Sequence, residues 1–289
     1  MFFTNPVSGT AALHGYDYKL VHTDAPNDRN PRWTKVAKIR KNIEHYDFVV
    51  FMDADTVFKY PAVPLEFLFN RWGITPRTLV AAADDPDRAE NDDKRGGINQ
   101  NAGFFIAQRS PRTRQLLDAW FSCAWDHKQK GCSKYKYNFP HEQGAFSTYT
   151  RHLFNDTEDV KRLPCAEANG SPRTKAKYGC GGELVEHYWK AQDAVPAAFQ
   201  SSIMQYVLLQ MHQRFNDNRE ALVEDQRTPH SDDDDDDDDD EDDDNTSGKS
   251  GTSGKGKRDD GKDDLPEEDE EDDDLEESDD LEEGNMVPV

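Results

Sequence analysis

The sequence predicts an α/β fold for residues 1–229, with an open mixed sheet flanked by helices. Three observations carry this: short apolar, β-branched runs alternate with amphipathic helical stretches, the connections are mostly brief, and one strand-like run ends in paired acids, Asp53-Ala54-Asp55. Alternation of this kind belongs to sheets covered by helices, and ligands of such sheets bind beyond the carboxyl ends of the strands.

In order, Tyr18-Lys19-Leu20-Val21-His22 reads as a short strand, followed by turn-forming Asp24-Ala25-Pro26-Asn27-Asp28. Pro31 suits the first turn of a helix in which Val36, Ile39, Ile43 and Tyr46 recur at helical spacing, with lysines and arginines opposite. The run Phe48-Val49-Val50-Phe51-Met52 is the next strand, so strand, helix and strand predict a parallel βαβ unit. A helix near Val63 to Phe69, a strand at Leu79 to Ala83, a polar loop from Asp84 to Gln100 and a strand at Gly103 to Ala107 follow. After Pro111, Leu116, Leu117, Trp120 and Phe121 mark another helix.

The net charge of −24 does not describe this body. Residues 230–289 hold 31 Asp and Glu against 5 Lys and Arg, which leaves 28 of the 59 acidic and 30 of the 35 basic residues in positions 1–229. The acidic segment cannot bury enough apolar surface to offset the entropy of ordering, so 230–289 is expected to be a disordered tail. Its charge suits basic protein partners or loosely held cations, or serves solubility alone. Nothing in the sequence points to nucleic acid.

Four cysteines, Cys123, Cys132, Cys165 and Cys180, lack the C-x-x-C spacing of a zinc site. An even count fits two disulfides, and pairing Cys123 with Cys132 and Cys165 with Cys180 closes short loops; three connectivities are open, as are four reduced thiols. The triplets beginning at Asn155, Asn169 and Asn245 are N-glycan acceptors if the chain enters the secretory pathway. No apolar run approaches the ~18 residues of a membrane-spanning helix, and Met1-Phe2-Phe3 is too short for a signal sequence.

Asp53 and Asp55 are one residue apart on a strand end, so their side chains share a face, and paired carboxylates suit a hard divalent cation that also grips phosphate. The chain has neither G-x-G-x-x-G after a strand nor G-x-x-x-x-G-K-[ST]. A metal must therefore neutralise any bound diphosphate, which favours nucleotide-sugar chemistry over hydride transfer or ATP hydrolysis.

Six ordered blocks extend this reading: His14-Gly15-Tyr16-Asp17-Tyr18, Trp33-Thr34-Lys35-Val36-Ala37-Lys38-Ile39, Phe51-Met52-Asp53-Ala54-Asp55-Thr56, Asn101-Ala102-Gly103-Phe104-Phe105-Ile106, His141-Glu142-Gln143 and His187-Tyr188-Trp189-Lys190. Over roughly residues 11–200 they resemble the retaining nucleotide-sugar glycosyltransferases of GT-A fold, most closely the fungal α-galactosyltransferase and α-mannosyltransferase group, glycosyltransferase family 34. The resemblance implies Mn²⁺, or Mg²⁺, held by Asp53, Asp55 and His187. It also implies a donor of the UDP-galactose or GDP-mannose class contacted by Lys35, Asp53, Asn101, Gly103 and Lys190, with Lys38 near the phosphates. Glu142 and Gln143 are implied beside the anomeric carbon, and the acceptor is a glycan or glycoprotein.

Members of that group carry an amino-terminal membrane anchor and a first strand lining the base, and only a few residues precede the Gly15 block here. The chain is therefore expected to be an amino-terminally truncated form of a type II membrane protein of the Golgi lumen, with its membrane attachment in the missing part, or, if complete, a cytosolic or nuclear protein with reduced cysteines. An alternative is a catalytically degenerate member whose acidic tail recruits basic partners.

Overall fold

The computed structural model describes residues 6–154 and 157–223; the acidic segment 230–289 and the acceptor triplets at Asn155 and Asn245 lie wholly or partly outside them. Helix α1 (Pro6–His14) is followed by an extended segment without ladder pairing. A turn at Pro31–Trp33, capped by the Asn30 side chain, then leads into α2 (Thr34–Asn42). Strands β1 (Phe48–Met52) and β2 (Thr56–Phe58), helix α3 (Leu65–Arg71), strands β3 (Val80–Asp84) and β4 (Gln100–Gln108) and helix α4 (Pro111–Cys123) come next. They are followed by α5 (His141–Ala145), β5 (Val160–Leu163), β6 (Ala168–Gly170), α6 (Pro172–Tyr178), β7 (Val185–His187) and α7 (Val195–Asp217).

The main sheet has the order β1-β4-β3-β5, antiparallel except for the β3–β5 pair. A smaller sheet has the order β2-β7-β6. This is the open, mixed, helix-flanked arrangement that the sequence predicts, with two corrections.

Tyr18 to His22 is not a strand. Leu20 and Val21 are exposed, and β-propensity without a cross-strand partner does not make a ladder. The parallel βαβ unit is absent for the same reason: β1 instead pairs antiparallel with β4, Phe51 opposite Phe105. Smaller differences are at element ends. Tyr46 lies beyond α2, α3 starts at Leu65 after Pro64, and the polar loop contains a short turn at Ala89–Asn91 and a bridge between Asp92 and Ile98.

Strands β3 and β4 are buried on both faces, which explains why they read as apolar runs, whereas in β1 Phe48 is exposed and the other residues are partly buried. On β4 the alternation sends Phe105 to one side, against Trp33, Val36, Ile39, Leu116, Trp120 and Phe146. Phe104 and Ile106 go to the other, against Leu68, Trp72, Leu163 and Val185. The rings of Phe105, Trp120 and Phe146 meet at centroid distances of 4.8–5.5 Å. Within this cluster the Trp120 indole N–H donates to the Glu142 carbonyl at 2.8 Å, so the core itself fixes the start of α5.

Cys123 is bonded to Cys132 and Cys165 to Cys180, the local connectivity. Asn169 is 1 % exposed and its amide donates inward, so this triplet is no glycan acceptor in the folded chain.

Trp120→Ala is expected to lower stability by about 3–5 kcal/mol through a core cavity. Trp120→Phe, which keeps a ring and loses the bond to Glu142 while that carbonyl retains the Phe146 N–H, should cost less, about 1 kcal/mol for the lost hydrogen bond. Urea midpoints of the two variants measure the difference.

Candidate active site

The site forms at one edge of the main sheet because β1 and β3 run parallel to each other and antiparallel to β4. The carboxyl ends of β1 and β3 and the amino end of β4 therefore meet. Asp53 follows β1, Asp85 follows β3, and Asn101 is the second residue of β4. The β3–β4 register jumps between Ala82, opposite Phe105, and Ala83, opposite Asn101. Such a bulge re-aims side chains next to a site.

Gly103 lies in this bulge, and its carbonyl accepts the Asp53 N–H at 2.7 Å. A Cβ at this position would meet the His187 ring at 2.2 Å and the Asn101 side-chain oxygen at 3.0 Å. The close approach that Gly103 permits is thus that of the imidazole, delivered by β7 from the smaller sheet, where His187 pairs with Thr56.

Asp53, Asp55 and His187 come together, with ligand atoms all within 4.8 Å of one another. His187 Nε2 donates to Asp55 at 3.1 Å, while its buried Nδ1 has no partner. Burial acts to raise the Asp55 carboxyl, but the bond and charge of His187, with smaller help from Gln192, outweigh it and hold the group below the usual carboxylate range. Two carboxylates and an imidazole whose Nε2 faces one of them form a donor set that fits Mn²⁺ or Mg²⁺.

Behind Asp53 is a buried ion triad. Lys35, projecting from α2, lies 3.1 Å from Asp53 and 3.2 Å from Glu142 and also donates to the Ala102 carbonyl at 3.4 Å. Burial alone would lower the Lys35 ammonium; the Glu142 and Asp53 charges more than offset this and keep it cationic. Glu142 is 2 % exposed and burial pushes its carboxyl up, against the pull of Lys35. The structure therefore commits Lys35 and Glu142 to each other as well as to Asp53.

Gln143 belongs to a second network. Its Oε1 accepts the Ala102 N–H at 3.0 Å and its Nε2 donates to Asp85 at 2.6 Å. Asn101 donates to the other Asp85 oxygen at 2.7 Å and accepts from Gly103 N–H at 2.8 Å and from Asn169 Nδ2 at 2.7 Å. Burial pushes the Asp85 carboxyl up to about 6, only partly countered by Asn101. Asn101, Gln143, Asp53 and Asp55 remain partly exposed, while Asp85 and Glu142 are buried beneath them. Lys190 is exposed on the turn beyond β7, where its carbonyl accepts from Arg173 at 3.0 Å.

Sequence reasoning missed Asp85 and Asn169. Asp85 carried a readable signal, an acid directly after an apolar strand, as at Asp53. Asn169 carried none beyond its glycan triplet; its backbone has φ 62°, a left-handed conformation that asparagine tolerates better than most residues. A cleft of about 1310 Å³ opens beside Asp53 and Asp55, lined by Arg32, Lys35, Lys38, Tyr18 and Phe51 among others.

No family model and no curated protein matches the sequence. Among solved structures, the chain is similar to a glycosyltransferase involved in the glycosylation of the major capsid of PBCV-1, with 12% identity, TM-score 0.49, 69% of this chain and 89% of that chain. It is also similar to mouse xyloside xylosyltransferase 1 in its apo form (14% identity, TM-score 0.36, 54% of this chain and 62% of that one). A third likeness is to the galactosyltransferase LgtC in complex with donor and acceptor sugar analogs (15% identity, TM-score 0.37, 62% of this chain and 63% of that one). The chain thus spans less than two thirds of the last two. All three TM-scores lie below 0.5, so the geometry of the site carries the functional reading.

Two outcomes test the geometry. Gly103→Ala should displace His187 and weaken Mn²⁺ binding at least about tenfold, read by calorimetry or by the paramagnetic resonance of free Mn²⁺. The raised carboxyl of Asp85 makes the folded state bind more protons than the unfolded chain between about pH 4 and 6. The contribution of Asp85 to stability is therefore fully present below that window and is lost as pH rises through it, up to about 3 kcal/mol. Urea unfolding at the two ends of the window should show this increment in the wild type and lose it in Asp85→Ala.

Proposed function

We propose that this chain is a metal-dependent retaining glycosyltransferase of GT-A fold, moving galactose or mannose from a nucleotide diphosphate sugar to a hydroxyl of a glycan or glycoprotein. The observation that carries this reading is the convergence of Asp53, Asp55 and His187 beside the Asn101–Asp85–Gln143 network, at the sheet edge where a cleft opens. A cation site next to a set of buried, oriented hydrogen-bonding groups is what a sugar diphosphate requires: one part for the diphosphate, the other for the sugar hydroxyls.

Asp53, Asp55 and His187 would hold Mn²⁺ or Mg²⁺. When bound, the ion supplies positive charge against the diphosphate leaving group. Lys35 adds a fixed cation behind Asp53, and Lys38 lines the cleft. Asn101 and Gln143 present the polar groups open to a sugar, with Asp85 orienting both. Glu142 acts through Lys35, whose charge it balances, and Gln143 is the group placed to steady a developing oxocarbenium-like centre. Gly103 contributes by admitting His187, and Lys190 is assigned to the diphosphate by the sequence resemblance alone. The two disulfides support an oxidising compartment and hence the Golgi lumen.

Asp55→Ala should abolish both transfer and donor hydrolysis, a loss of at least about a hundredfold for removing a metal ligand. In a panel of UDP- and GDP-sugars, one donor should raise the melting temperature of the wild type only when Mn²⁺ is present. Equal shifts with and without the metal, or unchanged turnover in Asp55→Ala, would overturn the assignment.

A further inference from the structure

Helix α7 is long for its surroundings, and its two sides differ. Near its start Val195 and Ser202 are buried, and Phe199 and Ile203 close over Gly9 of α1. From Met204 onward the helix leaves the body, and most residues are exposed on every side. On the outer side Met204, Val207, Leu208, Met211 and Phe215 recur every three or four residues, which places them on one stripe. Met204, Leu208 and Met211 are each 56–61% exposed. Stripes of this kind on a helix belong against another surface.

Three observations indicate what covers it. Between Val195 and Gln213 the helix has no Asp, Glu, Lys or Arg, although a third of the whole chain is charged. A two-fold axis brings like residues close to one another, and an uncharged face incurs no repulsion when it meets its own copy. An in-plane membrane helix would instead carry lysines and arginines along its polar face; the flanking residues here are Gln205, Gln210, His212 and Gln213. The stretch that directly follows, residues 224–264, includes no Ala, Val, Ile, Leu, Met, Phe, Tyr or Trp, and apolar residues return in the sequence only at Leu265.

We infer that the outer stripe of α7 is a self-association surface, on which two copies of this chain pair their helices antiparallel about a two-fold axis. The paired stripes and their flanking amides bury on the order of 1,000 Å² in total, near the lower end of specific interfaces, so the dimer is expected to dissociate at roughly micromolar concentration. Because the contact is apolar and the chains are strongly acidic, added salt should tighten it by screening long-range repulsion, the opposite of an ion-paired interface.

Sedimentation equilibrium of the full 289-residue chain, from about 1 to 200 μM, tests this. A monomer–dimer equilibrium is expected that strengthens at higher salt, and Leu208→Glu with Met211→Glu should weaken it at least about tenfold by placing like charges across the axis. Far-UV circular dichroism confirms that the double variant keeps its helix, whose outer side is solvent-exposed. A wild type that stays monomeric throughout the range would overturn the inference, as would a dimer indifferent to the double substitution. So would a monomer that binds phosphatidylcholine vesicles through this helix, which would make lipid the occupant.

Discussion

The buried ammonium of Lys35 is the interaction on which the site depends. It lies between Asp53, at the end of β1, and Glu142, in α5, and so ties a strand end, a helix and a short helical turn to one point. Without a cation there, two carboxylates would approach each other in a poorly solvated place, and at least one would take up a proton. Breaking such a buried pair leaves an uncompensated charge, commonly worth about 3–5 kcal/mol. The triad therefore does more than add stability: it holds the Asp53 carboxyl in position at the end of β1.

The hydrophobic core supports this arrangement from below. Trp120 packs with Phe105 and Phe146 and turns its one polar atom to the Glu142 carbonyl. Gln100, two residues before the bulge glycine's neighbour Ala102, gives its N–H to Ser147, which lies on a π-helical turn at Phe146–Thr150. A buried pair of Arg151 and Asp93, 2.6 Å apart, orders the loop that leads into β4, with Asp93 also accepting the N–H groups of Arg95 and Gly97. Packing on one side of the sheet and polar networks at its edge thus fix the same few residues from two directions, leaving Asn101 and Gln143 little rotational freedom. Such preorganisation is what the proposed transfer chemistry requires, because groups already aimed at the developing charge lose nothing by reorienting during reaction.

Much of this was legible in the chain. The apolar run at Phe48 to Met52 followed by two acids located a strand end and a neighbouring pair of carboxyl groups, because side-chain alternation is a property of any strand. The helices at α2 and α4 could be read from periodicity and from Pro31 and Pro111, while the cysteine spacing left three connectivities and reduced thiols open, and the structure selects the local pairs. Tyr18 to His22 was not legible in the same way. Its residues favour extended backbone, but a strand exists only when a neighbour offers a matching edge, and propensity carries no information about that neighbour.

By itself, then, the sequence determined what local physics determines: the elements from α2 to α4 apart from β2, the acidic strand end, the near-neutral body and the contrast with the acidic residues after it. Tertiary structure alone decided which side of β1 would be paired, that His187 would reach Asp55 across more than a hundred residues through the space left at Gly103, and that Asp85 and Asn169 would join the site. These are long-range juxtapositions, set by how two sheets and the bulge in β4 pack. The reason is general: a residue's chemistry is written at its own position, while its partner is chosen by the fold's shape.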